Sequence, residues 1–460
     1  MDTAIVFPLP FYLCISAVLW LFMRGWQVRL EGWGIPLIVV TATAGSWYLM
    51  DPVYNDYSQY IREVGEDRLS NGFWEVLIFF ISLGILSTVM HRKINADLLG
   101  RGSQVIQMMR NKEIEQPHFQ DQITILSTSL FTIWAGLMLI ALTRVDFDVL
   151  GMFFPYLCGD IKPQPWGRNR IGGGIDAIFA FAGYIQIMLT ALLGVTFALA
   201  LRPYSMILSG VGFLLAVPFY LFDRTRNTML AVLLPGLMAL VTLRVRNGIV
   251  VRLAILVCSF LALEGWMKFV IDNRDRGTIT QAIKSGGAQD AGLKERKHLG
   301  FNMFEELGFI NYFIESGEYK VNWGARYFAE IVNPIPRVLW PGKPLIGIDY
   351  AIARGMAYGN QDAASGGIAA SISTGMIGQG VVNFGRILGP IAAALLMAIW
   401  VAVLARQDLM GNDIGHLLLY AIGLVLTFNM GRDITLLVIY PFIFGWLLLW
   451  WNNRRKRRNL

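Results

Sequence analysis

The side chains in this sequence best suited to chemistry are guanidinium groups, and several stand where an anion could be held. The run Asn333-Pro334-Ile335-Pro336-Arg337-Val338-Leu339-Trp340-Pro341-Gly342-Lys343-Pro344 carries four prolines. These fix φ and keep the backbone extended, while Gly342 permits a bend beside Pro341. Such a stiff ribbon would present Arg337 and Lys343 to water. Arg224 and Arg226 abut one short apolar run, and Arg432 abuts another. A charge held near or below a membrane surface is costly unless it lines a wet cavity or meets an anion. One arginine at such a place simply snorkels to the interface. Three of them together with Arg337 predict a shared anion site.

Composition says what must position these groups. The chain has 460 residues, 55% hydrophobic and 15% charged, with a mean hydropathy of +0.51. Soluble domains carry about 25% charged residues, so the sequence reads as an all-α polytopic membrane protein. The three cysteines, Cys14, Cys158 and Cys258, make no disulfide framework. The four histidines, His91, His118, His298 and His416, show no metal-ligand spacing. Neither a glycine-rich nucleotide loop nor a Walker pattern is present. No metal, cofactor or nucleic acid is therefore expected.

A membrane helix needs roughly 20 mainly apolar residues. Eleven runs qualify or nearly do: 4–23, 34–50, 73–90, 122–143, 175–201, 204–222, 228–243, 249–271, 387–404, 415–430 and 434–451. The predicted organisation is eight spans over 1–271, a large outer segment over 272–386, three spans over 387–451 and a basic tail over 452–460. The tail Arg454-Arg455-Lys456-Arg457-Arg458 places the C-terminus in the cytoplasm. Arg24, Arg29, the group from Arg92 to Lys112, Arg202, Arg244, Arg246, Arg252 and Arg406 then fall on the same side. An odd number of spans leaves the N-terminus outside.

In the outer segment, Phe301, Phe304, Leu307, Phe309 and Ile310, with Glu305 and Glu306 as the polar residues, predict an amphipathic helix lying along the membrane. The stretch from Gly366 to Gly389 is dense in small residues and is expected to pack closely against other helices.

Two strings resemble a known family. Pro336-Arg337…Trp340-Pro341…Lys343-Pro344 and the later Gly375-Met376-Ile377-Gly378-Gln379-Gly380-Val381-Val382-Asn383-Phe384-Gly385 are similar to strings in the Wzy-type polymerases of O-antigen and capsule repeat units. So is the order of a long outer loop followed by three final spans. Arg226-Asn227-Thr228 resembles a string in the related O-antigen ligases. The likeness is carried mainly by the C-terminal half. Gln379 departs from the pattern, because many members carry Glu there and an amide cannot act as a base.

The resemblance implies a GT-C-like fold in a bacterial inner membrane and a metal-independent glycan transfer on its outer face. Glycan would move from undecaprenyl pyrophosphate to a sugar hydroxyl of another lipid-linked unit. Arginine forks suit the departing diphosphate and keep their charge. On that reading Arg226, Arg337 and Arg432 hold the pyrophosphate, with Arg224, Arg276 and Lys343 in support. The acceptor hydroxyl needs a base, for which Glu330, His298 and Asp433 are the candidates. Partners would be lipid-linked glycans, membrane lipids and a chain-length regulator protein. A ligase with a different acceptor, and a lipid-linked glycan transporter or flippase, remain as alternatives.

Overall fold

The computed structural model describes residues 7–54, 57, 60–61, 64–97, 102–111, 113–153, 166, 174–222, 226–245, 248–272, 303–332, 335, 339–344, 350, 353, 373–410, 414–434 and 436–458. Among them there are helices and connecting turns but no strand. The main helices are α1 (Leu9–Gln27), α2 (Gly34–Tyr48), α3 (Glu66–Asp97), α4 (Pro117–Arg144), α5 (Gly174–Leu199), α6 (Pro203–Phe222) and α7 (Arg226–Ala239). They continue with α8 (Ile249–Asp272), α9 (Met303–Glu315), α10 (Ala325–Val332), α11 (Gly375–Leu409), α12 (Ile414–Met430) and α13 (Leu436–Arg458). Each apolar run read from the sequence overlaps a helix. Among the described residues five helices, α1, α3, α4, α6 and α11, are long and apolar enough to cross a membrane, as expected of a helical membrane protein.

The chain forms two compact units. The first comprises 1–104, 295–411 and 426–440, and the second comprises 105–294, 412–425 and 441–460. In the second unit, α4 to α7 pack around Trp134, Leu193, Ala216 and Val232. The last carbonyls of α5 gain a cation: Arg244 Nη1 donates to Ala198 O at 3.1 Å and Ala200 O at 2.9 Å. A guanidinium suits the negative end of a helix dipole.

The first unit is organised around α11, which packs along α3 and also touches α2, α9 and α10. α11 is not straight. Gly385 has φ 78° and ψ −178°, a conformation open essentially to glycine alone. The chain turns back there, so that 375–384 and 386–409 form two arms. Gly380 and Gly389 face each other across the corner. A Cβ on Gly380 would lie 2.2 Å from Gly389 O, so the arms meet backbone to backbone as only small residues allow.

The short arm begins with its amide groups satisfied by other elements, as a buried helix start requires. Thr374 N–H donates to Asp433 Oδ1 at 3.2 Å, Met376 N–H to Gly431 O at 3.2 Å, and Ile377 N–H to Tyr48 Oη at 2.8 Å. Gln379 fastens the arm to the segment that follows α12. Its Nε2 donates to Ile434 O at 3.2 Å, and its Oε1 accepts from Ile434 N–H at 3.0 Å.

α9 departs from the sequence expectation. A helix is there, but ten of its residues are buried, Glu305 and Glu306 included. It is packed within the first unit. Asp51 Oδ2 accepts from Phe304 N–H at 3.0 Å and Glu305 N–H at 3.2 Å, capping the helix start from a distant element. Tyr350 donates to Glu306 Oε2 at 2.7 Å. Phe304 stacks on Phe73 with centroids 4.2 Å apart. Acidic residues that look solvated in the sequence are thus held by partners far away in the chain.

Candidate functional site

The residues brought together lie on α10, at the start of α11 and in the turn after α12. α10 is hung on the corner of α11. Asn322 N–H donates to Val382 O at 3.1 Å. Tyr327 N–H donates to Asn383 Oδ1 at 3.3 Å, while Asn383 Nδ2 donates to Gln379 O at 2.7 Å. The helix is therefore oriented by the polar string that follows Gly378. One turn apart on its inner face stand Arg326 and Glu330, a spacing that puts both on one side.

Both are buried, with 6% and 5% of their surfaces exposed. Among the described residues, Arg326 Nε and Nη1 and Glu330 Oε2 have no hydrogen-bond partner, and neither does Tyr327 Oη. Buried polar groups are nearly always satisfied, and leaving one unmade costs about 1–3 kcal/mol. This group of donors and acceptors therefore has unused capacity directed inward.

Asp433 faces the same pair. Its Oδ1 accepts from Thr374 N–H and Thr374 Oγ1–H, the latter at 3.3 Å. Burial pushes the Glu330 carboxyl up to about 7, with the Asp433 charge adding to the rise and the Arg326 guanidinium opposing it. Burial also raises the Asp433 carboxyl. The Arg326 charge, the bonds from Ser373 and Thr374, and the Arg432 charge oppose that rise. Two acids thus share one buried guanidinium, and both are held above the ordinary carboxylate range.

The other expected site residues fall out differently. Arg432 is half-buried, and its Nε donates to Ser373 Oγ at 2.6 Å. Lys343 does not stand out in water as its place in the proline ribbon suggested. It is 6% exposed, and its Nζ donates to Ile335 O at 3.0 Å. The ammonium braces the ribbon from within, because folding its stem inward covers apolar surface while a carbonyl takes the charge. Arg226 opens α7 in the second unit. Arg337, Arg224, Arg276 and His298 lie outside the described residues.

Of the residues weighed as bases, then, Glu330 and Asp433 come together. Arg326 was missed. Its signal was the four-residue spacing to Glu330 inside a short, otherwise apolar run, which is visible in the sequence.

Among the described residues, no three His, Cys, Asp or Glu side chains stand close enough to hold a metal ion. The chain matches no family model, no curated protein and no solved structure.

Proposed function

We propose that this chain polymerises undecaprenyl-pyrophosphate-linked oligosaccharide repeat units on the outer face of a bacterial inner membrane, without a metal. The observation that carries the reading is the buried Arg326–Glu330 pair with unfilled hydrogen-bonding capacity. It sits beside Asp433 in the first unit. A carboxyl with a pKa of about 7 is matched to proton transfer at neutral pH.

In this reading Glu330 accepts the proton of the acceptor hydroxyl as that oxygen attacks the anomeric carbon of the donor glycan. The bond from that carbon to the diphosphate oxygen breaks, and undecaprenyl pyrophosphate leaves with the electron pair. Arg326 holds Glu330 and the hydroxyl in register. Arg432, with Arg337, supplies the fixed positive charge that a departing diphosphate needs. The N-terminus would lie in the periplasm and the C-terminus in the cytoplasm, and a chain-length regulator would be a partner.

The test is the pool of lipid-linked intermediates in membranes from a strain that lacks the gene and carries wild type, Glu330→Gln or Arg326→Lys on a plasmid. Wild type should yield lipid-linked polymer. The Gln variant should accumulate single repeat units while inserting normally. The Lys variant keeps a charge but loses the fork, and should fall on the order of a hundredfold in turnover. Wild-type polymer from Glu330→Gln would remove Glu330 as the base. A labelled unit that crosses the bilayer without lengthening would replace the polymerase reading with a transporter.

A further inference from the structure

α10 is amphipathic in an inverted sense. Its inward face carries the charges, Arg326 and Glu330, and its outward face is apolar. Ala325, Phe328 and Ile331 point out at a three-residue spacing, with Phe328 51% and Ile331 64% exposed. Trp323 before the helix is 72% exposed, and Leu339 in the ribbon after it is 77% exposed. Trp340 packs edge-on to Phe328, with centroids 6.4 Å apart, so ribbon and helix present one continuous face. None of the described exposed residues between 323 and 342 carries a charge. A large apolar patch of this kind marks contact with something apolar.

The level of this face is fixed by its attachment. α10 is tied to residues 382 and 383, and the ring of Tyr327 lies 6.1 Å from that of Phe384. The corner at Gly385 follows at once. Just beyond it the long arm of α11 begins its exposed apolar stripe, with Ile387 66% and Leu388 54% exposed, continuing through Ile391, Leu395 and Ile399. That arm belongs to a helix long and apolar enough to cross a membrane, so its stripe suits contact with acyl chains. α10 is thus attached beside the corner from which the stripe starts.

We infer that the outward face of α10, with Trp323 and Leu339, is seated in the bilayer interface, its side chains among the upper acyl chains of the surrounding phospholipid. A helix in that position normally turns its charges to water. Here the charges, Arg326 and Glu330, turn inward, because the far side of α10 is protein. The helix thereby separates a polar site from lipid by one helix thickness. A tryptophan at the rim suits the headgroup level. The inference does not rest on the polymerase reading, since it follows from exposure and attachment alone.

The test places single nitroxide labels in a background with Cys14, Cys158 and Cys258 replaced by serine. The full chain is reconstituted into phosphatidylethanolamine–phosphatidylglycerol bilayers. Labels at Phe328, Ile331 and Leu339 are compared with one at Glu318, which is exposed and expected in water. The first three should relax with dissolved oxygen and little with a water-soluble nickel chelate, and the Glu318 label should do the reverse. Nickel accessibility at Phe328 and Ile331 equal to that at Glu318 would overturn the inference. So would low access to both reagents, which signals a protein partner or a second copy over the patch.

The unsubstituted chain gives a second readout should the serine background fold poorly. Acyl-brominated phospholipid should quench Trp323 fluorescence, taken as the difference between the chain and Trp323→Phe. No quenching of that difference signal would likewise overturn it.

Discussion

Glu330→Gln is the sharpest probe of the buried cluster. The amide keeps the shape of the protonated carboxyl and never ionises. In the wild type the folded chain holds this group at about 7, against an ordinary value of 4.5, with burial the largest cause. Below 4.5 the carboxyl is protonated whether folded or unfolded, and its favourable contribution is fully present. As pH rises toward 7 the unfolded chain has released the proton while the folded one retains it, so stability falls through that window. Above it the folded group ionises too, and the loss is complete. The gap between the two values corresponds to about 3 kcal/mol. At about 2–4 °C per kcal/mol for a unit of this size, the shift in midpoint is several degrees. The assay is intrinsic-fluorescence unfolding of wild type and variant in the same bilayer discs, at one scan rate because such unfolding is seldom reversible. At about pH 4 the two should nearly coincide, and at about pH 8 the variant should unfold several degrees higher. All other titrating groups are shared, so the difference between the two curves isolates Glu330. Parallel curves, with no opening of the gap between those pH values, would refute the claim that Glu330 is buried beside another negative group.

Gly385→Ala should lower stability by about 1–3 kcal/mol. A Cβ there meets only Val321 Cγ2, at 3.9 Å, so the cost is conformational. Gly389→Ala is expected to abolish the folded peak in size-exclusion profiles, because its Cβ would lie 2.5 Å from backbone atoms of 380 and 381. Gln379→Glu removes the donor that holds Ile434 O. It should cost about 1–3 kcal/mol at neutral pH and recover as acid restores the O–H, read as a midpoint that rises on acidification. Arg386→Ala should cost about 3–5 kcal/mol in the same melts. Arg386 Nε bonds Glu75 Oε1 at 2.8 Å, and that carboxylate is 3% exposed as a side chain, so the substitution leaves a buried charge without its cation.

The sequence revealed the helices far better than their connections. Long apolar runs such as 122–143 and 204–222 have few ways to satisfy their backbone except as helices, so α4 and α6 were legible directly. The small-residue stretch around Gly378 and Gly380 was rightly read as a site of close packing. The fold-back was not readable, since several glycines there permit a positive φ and only the packing of the arms selects Gly385. α9 shows the converse limit. Glu305 and Glu306 look solvated by type and spacing, and nothing local betrays that Asp51 caps their helix or that Tyr350 reaches Glu306. Exposure of α10 was hidden for a related reason. Its apolar residues suggest a core, and only the position of Arg326 and Glu330 on the opposite face reveals which side is out.

The two acids are not equivalent, and the difference can be measured. Asp433 Oδ1 is already engaged by both donors of Thr374, at the start of a helix arm whose dipole favours negative charge. Those bonds oppose the rise that burial imposes on the Asp433 carboxyl. Glu330 has an oxygen with no such engagement among the described residues, and the Asp433 charge is one of the causes that raise its pKa. Asp433→Asn removes that repulsion and leaves the guanidinium of Arg326, which favours the ionised form. The Glu330 pKa should therefore drop, and the acidic limb of the pH–rate profile for polymer formation should move to lower pH. Glu330→Gln should erase the limb instead of moving it. A limb that stays in place in Asp433→Asn would mean that Asp433 carries no charge while the site works, or that another group accepts the proton.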